Sequence, residues 1–295
     1  MSKCNICPRR CNADREKNEK GVCSVTGKDI YVARAALHMW EEPCISGEKG
    51  SGTIFFSGCN LRCVYCQNYE ISRGMAGKSI TAEKLSQLCI MLQEKGANNI
   101  NLVTPSHYIY EIREAVLMAK KAGLTIPVVY NSSGYELSEI IENTGDFIDI
   151  FLVDFKYIKE ETALRYSKAK DYPMVAKKAI AAMVRQTGKC KFDERGIMKK
   201  GVIVRHLLLP KHVTEGKEII KYLYDTYGDS VFISIMNQYT PVSNLTEYPE
   251  INRRVTKREY DRLVNYAIAL GVENAFIQEG DTAKESFIPS FYEAF

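Results

Sequence analysis

The 295-residue chain lacks an apolar run long enough to cross a bilayer, for which about 18 uninterrupted residues are needed. Its first residues, M-S-K-C, carry no hydrophobic segment of the secretory kind. Net charge is also scarce: 40 basic against 36 acidic residues leave +4, and no dense basic run accompanies it, so nothing argues for nucleic-acid binding. There is no internal repeat, no low-complexity tract, no clear second-domain linker and only one tryptophan, Trp40. These absences predict a cytoplasmic globular chain with neither a membrane nor a nucleic-acid partner. A hydrophobic share of 45% is enough for a substantial core.

Cysteine, by contrast, is plentiful. Ten cysteines in a chain of cytoplasmic character argue for metal sites before disulfides, because thiols stay reduced there. Seven fall into two spaced groups, Cys4, Cys7, Cys11 and Cys23 near the N-terminus, then Cys59, Cys63 and Cys66. Cys44, Cys89 and Cys190 stand alone.

The second group sits in G-C-N-L-R-C-V-Y-C-Q-N, residues 58–68, directly after the apolar run G-T-I-F-F-S at 52–57. Spacings of three and then two residues let one loop wrap three thiolates around a single centre. A [4Fe-4S] cluster normally takes four thiolates, so a three-cysteine loop leaves one iron open to another ligand, as the open position of catalytic zinc does. A zinc knuckle and a group of buried thiols are the bland readings of the same residues. The wider string F-S-G-C-N-L-R-C-V-Y-C-Q-N resembles the signature of radical S-adenosylmethionine enzymes, and looks most like the branch related to pyruvate formate-lyase activating enzymes. That resemblance implies a [4Fe-4S] cluster on Cys59, Cys63 and Cys66, with S-adenosylmethionine chelated at the open iron. Reductive cleavage would then give methionine and a 5′-deoxyadenosyl radical.

Residues 1–50 read as a cysteine-rich N-terminal segment and lead-in, and residues 51–295 as the main domain. Cys4-x-x-Cys7-x-x-x-Cys11 with Cys23 in G-V-C can close a second metal site. So small a polar segment has too little apolar surface to fold unaided, and a metal would supply the missing stability. Zinc and an auxiliary iron–sulfur cluster both suit sulfur ligands; a flexible leader with incidental thiols is the alternative. Leaders of the form C-x-x-C-P-R-x-C followed by G-x-C occur in an uncharacterised branch related to the activating enzymes, which this chain resembles from end to end.

From residue 52, strand-like runs at 53–57, 100–104, 127–131, 149–154, 202–208 and 231–236 alternate with amphipathic stretches. In the stretch at 82–95, apolar residues at 85, 88, 89 and 92 share one face, with Thr81 as N-cap and Gly96 as stop. Alternating βα units predict an α/β fold with a parallel sheet. Six strands rather than eight predict a partial, open (β/α)6 TIM-like barrel, and the family resemblance implies the same.

Ligands of parallel βα folds gather at the carboxyl ends of strands, and the residues there form a polar series. Tyr65 and Asn68 flank the third loop cysteine and are expected to contact the adenosine or brace the loop. V-T-P-S-H at 103–107 offers Thr104 and Ser106 where the resembling enzymes carry a Gly-Gly-Glu-type segment for the amino group; Ser106 reads equally as a helix cap. Y-N-S-S-G at 130–134 resembles a D-T-N-G segment and brings Asn131 and Ser133. In V-D-F-K-Y at 153–157, Asp154 and Lys156 share a face of extended chain and resemble a D-x-K motif. Arg205, within an apolar strand, must be paired if buried and by resemblance reaches S-adenosylmethionine; His206 alternates to the other face and is expected to be packed. Gln238 falls where the resembling enzymes have a histidine.

The resemblance thus implies an enzyme that abstracts hydrogen from a substrate, with a one-electron donor such as flavodoxin or ferredoxin. A glycyl radical enzyme is one candidate substrate; a peptide or small molecule is the alternative. An iron–sulfur electron carrier or metal-binding module is the reading from another class.

Overall fold

A computed structural model describes residues 3–27, 29–73, 76–241 and 245–278. In chain order the described strands are β1 (Ile30–His38), β2 (Ser51–Phe56), β3 (Lys78–Ile80), β4 (Ile100–Val103), β5 (Val128–Ser132), β6 (Ile150–Asp154), β7 (Lys191–Phe192), β8 (Met198–Leu207), β9 (Phe232–Met236) and β10 (Ala275–Ile277). Their spatial order is β10-β9-β8-β6-β5-β4-β2-β1-β3, with β7 paired on β8. From β2 to β10 along this path every pairing is parallel, while β1 pairs antiparallel with β2 and β3 antiparallel with β1.

All six strands expected from the apolar runs form, as β2, β4, β5, β6, β8 and β9. A seventh parallel strand, the three-residue β10, was too short and too polar in its surroundings to be read from sequence. β1 belongs to the segment read as a lead-in, yet His38 pairs with Ser51 across a connection that contains the short helix Pro43–Ser46, so the chain passes residue 50 inside one sheet. The order is a linear path with different edge strands, β10 and β3, which makes the sheet open.

Helices form where the 3.6-residue pattern is strongest. Ala82–Glu94 buries Leu85, Leu88, Cys89 and Leu92, and the Thr81 hydroxyl caps it by accepting from the Lys84 amide. Thr256 and Glu259 make a reciprocal capping box for Lys257–Leu270. The helices cover one face of the sheet and share one core with alternate strand residues such as Tyr130, Phe151, Val153, Val202 and Val204.

The other face carries the intervening residues, since side chains alternate along a strand. Val129, Ile150, Leu152, Ile203 and Met198 form a separate apolar cluster there with Cys44 and Ile45. Cys44 and Ile45 belong to the short helix Pro43–Ser46, which plugs the amino ends of the strands. Its carboxyl-end carbonyls accept from the buried side-chain amides of Asn98 and Asn99, which donate to Ser46 and Ile45 at 2.7 Å each, and Ser46 accepts from the Gly50 amide as well. Two residues beyond this cluster along the same strands stand Asn131, Asp154 and Arg205, so the fold changes from apolar to charged at one level.

Candidate active site

A cleft of about 240 Å³ opens at the carboxyl ends of the parallel strands. Phe55, Val103, Asn131, Asp154, Leu207 and Met236, one from each of six consecutive strands, line it together with Cys63, Cys66 and Tyr65 from the loop. Lys156, Arg205, Asn68, Gln67 and Gln238 complete the polar part of the wall. Nine sequence-expected residues therefore meet in one place: Cys63, Tyr65, Cys66, Asn68, Asn131, Asp154, Lys156, Arg205 and Gln238.

Four expected residues do not line it. Cys59 is within the electrostatic reach of the other two thiols. Thr104 follows Val103, whose side chain takes the cleft position, and turns the chain at φ 60°. Ser106 neither caps the following helix nor faces the cleft: its hydroxyl donates to Glu136 Oε1 at 2.6 Å, buried on the helix side. Ser133 shows its backbone carbonyl to the Tyr172 hydroxyl. His206 alternates away as expected, buried, with Nδ1 at 3.0 Å from the Phe155 carbonyl.

The charged wall is a closed network. Arg205 donates from Nε to Asp154 at 2.9 Å, from Nη1 to Glu41 at 3.1 Å and from Nη2 to Asn131 at 2.7 Å. Lys156 donates to the other Asp154 oxygen at 2.6 Å. Glu41 also accepts from Asn101 at 3.0 Å and Asn131 at 3.3 Å. Burial alone would raise the Asp154 carboxyl, but Arg205 and Lys156 outweigh it and hold the group below its ordinary value. Lys156 is raised despite burial, by Asp154 and then Cys63, so an ammonium faces the loop thiols. Arg205 is thus braced on three sides while it lines the cleft. Each of its nitrogens already has a partner.

Glu41 is the residue that sequence reading missed. It arrives from the turn after β1, 164 positions from Arg205, and no local pattern announces it. The unpaired-charge rule did require a carboxylate near Arg205 without saying which one. Neighbouring Glu42 is buried with Oε2 unpartnered, and burial raises its carboxyl.

The cysteine loop is held by backbone contacts on both sides. Gly58 donates to Ile71 at 2.8 Å, and its φ of 92° suits glycine. A Cβ there would stand 2.7 Å from the Cys23 carbonyl and 2.9 Å from His107. Val64 donates to the Tyr166 carbonyl at 2.8 Å and Arg62 to that of Ser167 at 3.3 Å. These carbonyls end the helix Glu160–Ser167, so the loop satisfies acceptors that a helix terminus leaves open. Arg9 reinforces the junction from the leader, donating to the carbonyls of Asn60, Lys168 and Ser167.

Among the described residues, no three His, Cys, Asp or Glu side chains converge as a single-ion site requires. A cubane sets a different requirement, because each cysteine binds a different iron. Three mutually interacting thiols beside Lys156, with two opening on the cleft, fit that demand. Burial, then Cys63 and Cys66, push the Cys59 thiol up to about 12, and burial raises Cys63. Ionising them as ligands therefore releases protons and needs the metal's positive charge.

Fold and site together define an enzyme class that holds a cysteine-bound centre at the mouth of a parallel α/β sheet. Residues 53–198 match the radical SAM superfamily. The chain is 31% identical over 272 residues to an uncharacterised protein of Methanocaldococcus jannaschii, covering 90% of this chain and 74% of that one. It is 26% identical over 184 residues to the pyruvate formate-lyase-activating enzyme of Clostridium pasteurianum, covering 58% of this chain and 66% of the enzyme. Its fold is similar to HydG, a maturase of the [FeFe]-hydrogenase (TM-score 0.54, 18% identity, 80% of this chain and 53% of that one). Methylornithine synthase is similar too (TM-score 0.52, 12% identity, 76% and 63%). The chain thus spans between about half and two thirds of the length of these solved structures. It belongs to the radical SAM superfamily, is an enzyme of that superfamily, and by membership implies a [4Fe-4S] cluster and S-adenosylmethionine. No helix among the described residues is long and apolar enough to cross a membrane.

Proposed function

We propose that Cys59, Cys63 and Cys66 hold a [4Fe-4S] cluster and that the cleft before them binds S-adenosylmethionine and a hydrogen-donating substrate. When bound, these groups supply reductive cleavage to methionine and a 5′-deoxyadenosyl radical, which abstracts hydrogen from a C–H bond. The observation that carries the reading is the convergence of two loop thiols with Asn131, Asp154, Lys156, Arg205 and Gln238 in one cleft. Both signs of charge are present, as an amino acid's carboxylate and ammonium require. Lys156 and Arg205 provide positive charge and Asp154 and Glu41 negative. Tyr65 and Asn68 wall the loop side; Gln67 fastens that side to the end of β9 by donating to the Gln238 carbonyl at 3.1 Å.

Likeness to an activating enzyme supports a protein substrate, a glycyl radical enzyme in particular, with reducing equivalents from flavodoxin or ferredoxin. The leader thiols Cys4, Cys7, Cys11 and Cys23 serve a second metal group, and their wider spacing suits an iron–sulfur cluster, in which each sulfur binds a different iron, better than a single zinc ion. In support, Cys4 lies in the electrostatic reach of Cys11 and Cys23, and Cys7 in that of Cys23 and Cys4. A Cβ on Gly21 would stand 3.0 Å from the Cys11 sulfur and 3.5 Å from that of Cys23.

The test is 5′-deoxyadenosine formation by the anaerobically reconstituted, reduced protein. Replacing Cys59, Cys63 or Cys66 by alanine is expected to bring it to the protein-free background. Undiminished product from any of these variants overturns the reading.

A further inference from the structure

A run of hydroxyls joins the cleft wall to one cluster ligand. Tyr65 Oη lies 2.5 Å from Tyr157 Oη, Tyr157 Oη 2.8 Å from Ser167 Oγ, and Ser167 Oγ 3.0 Å from Cys63 Sγ. Tyr65, Tyr157 and Ser167 are buried. Their positions are over-determined. The Tyr65 ring meets Tyr239 edge-on at 5.7 Å and the Tyr157 ring meets Tyr172 edge-on at 5.4 Å. Ser167 ends the helix Glu160–Ser167, and its carbonyl accepts from both Arg62 and Arg9. By comparison, Cys59 Sγ receives the backbone amide of Leu61 at 3.4 Å.

The chemistry of the terminus fixes the direction of the run. A cysteine sulfur bound to iron is a thiolate and can only accept. The single Ser167 proton must then point to Cys63, so Tyr157 donates to Ser167, and Tyr65 donates to Tyr157. Each inner oxygen accepts while it donates, an arrangement in which successive bonds polarise and strengthen one another. Hydrogen bonds to ligand sulfurs are among the determinants of iron–sulfur potentials. They stabilise the reduced cluster, whose sulfurs carry more negative charge.

We propose that Tyr65, Tyr157 and Ser167 form a positioning chain that sets the reduction potential of the cluster through Cys63, making it easier to reduce. The proposal rests on the cluster assignment made above. Tyr157 and Ser167 are positioning residues: they act on the cluster through the Cys63 sulfur.

The test is a redox titration of the reconstituted protein followed by electron paramagnetic resonance. The signal that shifts when S-adenosylmethionine is added identifies the loop cluster. Ser167→Ala is expected to move the midpoint to a more negative value and alter the signal. Tyr157→Phe should move it the same way by less, because Ser167 keeps its own proton. Ser167→Thr, which retains the hydroxyl, should restore the wild-type value. The double variant should match Ser167→Ala alone, since Tyr157 works only through Ser167; additive shifts overturn the chain. A Ser167→Ala midpoint equal to that of the wild type overturns the proposal. If that variant takes up no cluster, an unchanged midpoint in Tyr157→Phe overturns it instead. Failure of the wild-type protein to form the cluster and cleave S-adenosylmethionine sinks the functional reading itself. Normal cleavage with unmoved midpoints sinks only the positioning chain.

Discussion

The two cysteine groups are held in opposite ways. The loop at 58–68 leaves a strand, returns to a helix, and has its amides received by Ile71, Tyr166 and Ser167. The leader contains one described element of three residues, Arg15–Lys17. Four of the seven described non-glycine residues with positive φ lie there: Arg10, Asn12, Asn18 and Ser24. Such conformations cost about 1 kcal/mol or more each and persist only where the surroundings impose them. For the loop the surroundings are the fold. For the leader they are its own local backbone hydrogen bonds, such as Cys4 to Ala13 and Asn12 to Cys4, a few arginine contacts, the insertion of Cys23 and Val25 into the main core, and the thiol group itself. The fold thus shapes the catalytic loop before any metal arrives, whereas the second metal group proposed for the leader would give that segment its shape.

The sharpest way to break this contrast is to remove metal. Chelation, or joint Cys7→Ala and Cys23→Ala substitution, is expected to abolish hydrogen-exchange protection across residues 3–27, because structural metal binding in small segments is folding free energy of about 10 kcal/mol. Strands β4 to β8 should keep theirs. Alanine at Cys59 and Cys66 should eliminate turnover while leaving protection around β2 and the helix Glu160–Ser167 intact. Equal protection of the leader with and without metal would show that it folds on its own contacts.

Charge organisation extends the contrast, since the mouth is built to compensate itself. Arg205→Met leaves Asp154 and Glu41 buried without their common partner. Breaking a buried pair in this way costs about 3–5 kcal/mol, to be measured by denaturant titration of the metal-free protein. Removing a surface pair away from the mouth such as Arg113 with Asp146, both about half exposed, should cost less than about 1 kcal/mol. Similar losses from the two would mean that the mouth network is solvated and does not brace Arg205.

The difference between the regions also explains what was legible in the sequence. The six core strands were readable because each is a short apolar run bounded by polar turns, and their alternation with amphipathic stretches indicated parallel pairing. β1 and β3 escaped notice because antiparallel edge strands need less apolar sequence, and their partners are declared only in three dimensions. At the site, the loop spacing and the D-x-K pair stood out because the relevant atoms are two to four residues apart. Glu41 did not, because its partner lies in β8. Tyr157 and Ser167 look like an ordinary core tyrosine and a helix-end serine until the helix packs on the loop. Tyr65 drew attention as an aromatic ring, while its hydroxyl makes the tightest contact.

A smaller effect separates the regions by pH. Beneath the leader, Glu136 is fully enclosed with Ser106, Tyr130 and Ser132 around its carboxyl, and burial lifts it to about 7 against those weaker opposing hydrogen bonds. The unfolded chain ionises this group near its ordinary value of about 4.5. Between these values the folded protein keeps a proton that the unfolded chain has lost, so this group's contribution to stability is full below about 4.5 and declines until about 7. The integrated loss is roughly 3 kcal/mol. Glu136→Gln preserves shape without the titrating proton, so its stability relative to wild type should improve by that amount between pH 4.5 and pH 8 in urea unfolding. Asp154 at the mouth runs the other way: held low by Arg205 and Lys156 against burial, it stabilises at neutral pH and is lost in acid. A pH-independent difference for Glu136→Gln would mean that the carboxyl beneath the leader is ionised and solvated, and that the leader packs there less closely than its contacts indicate.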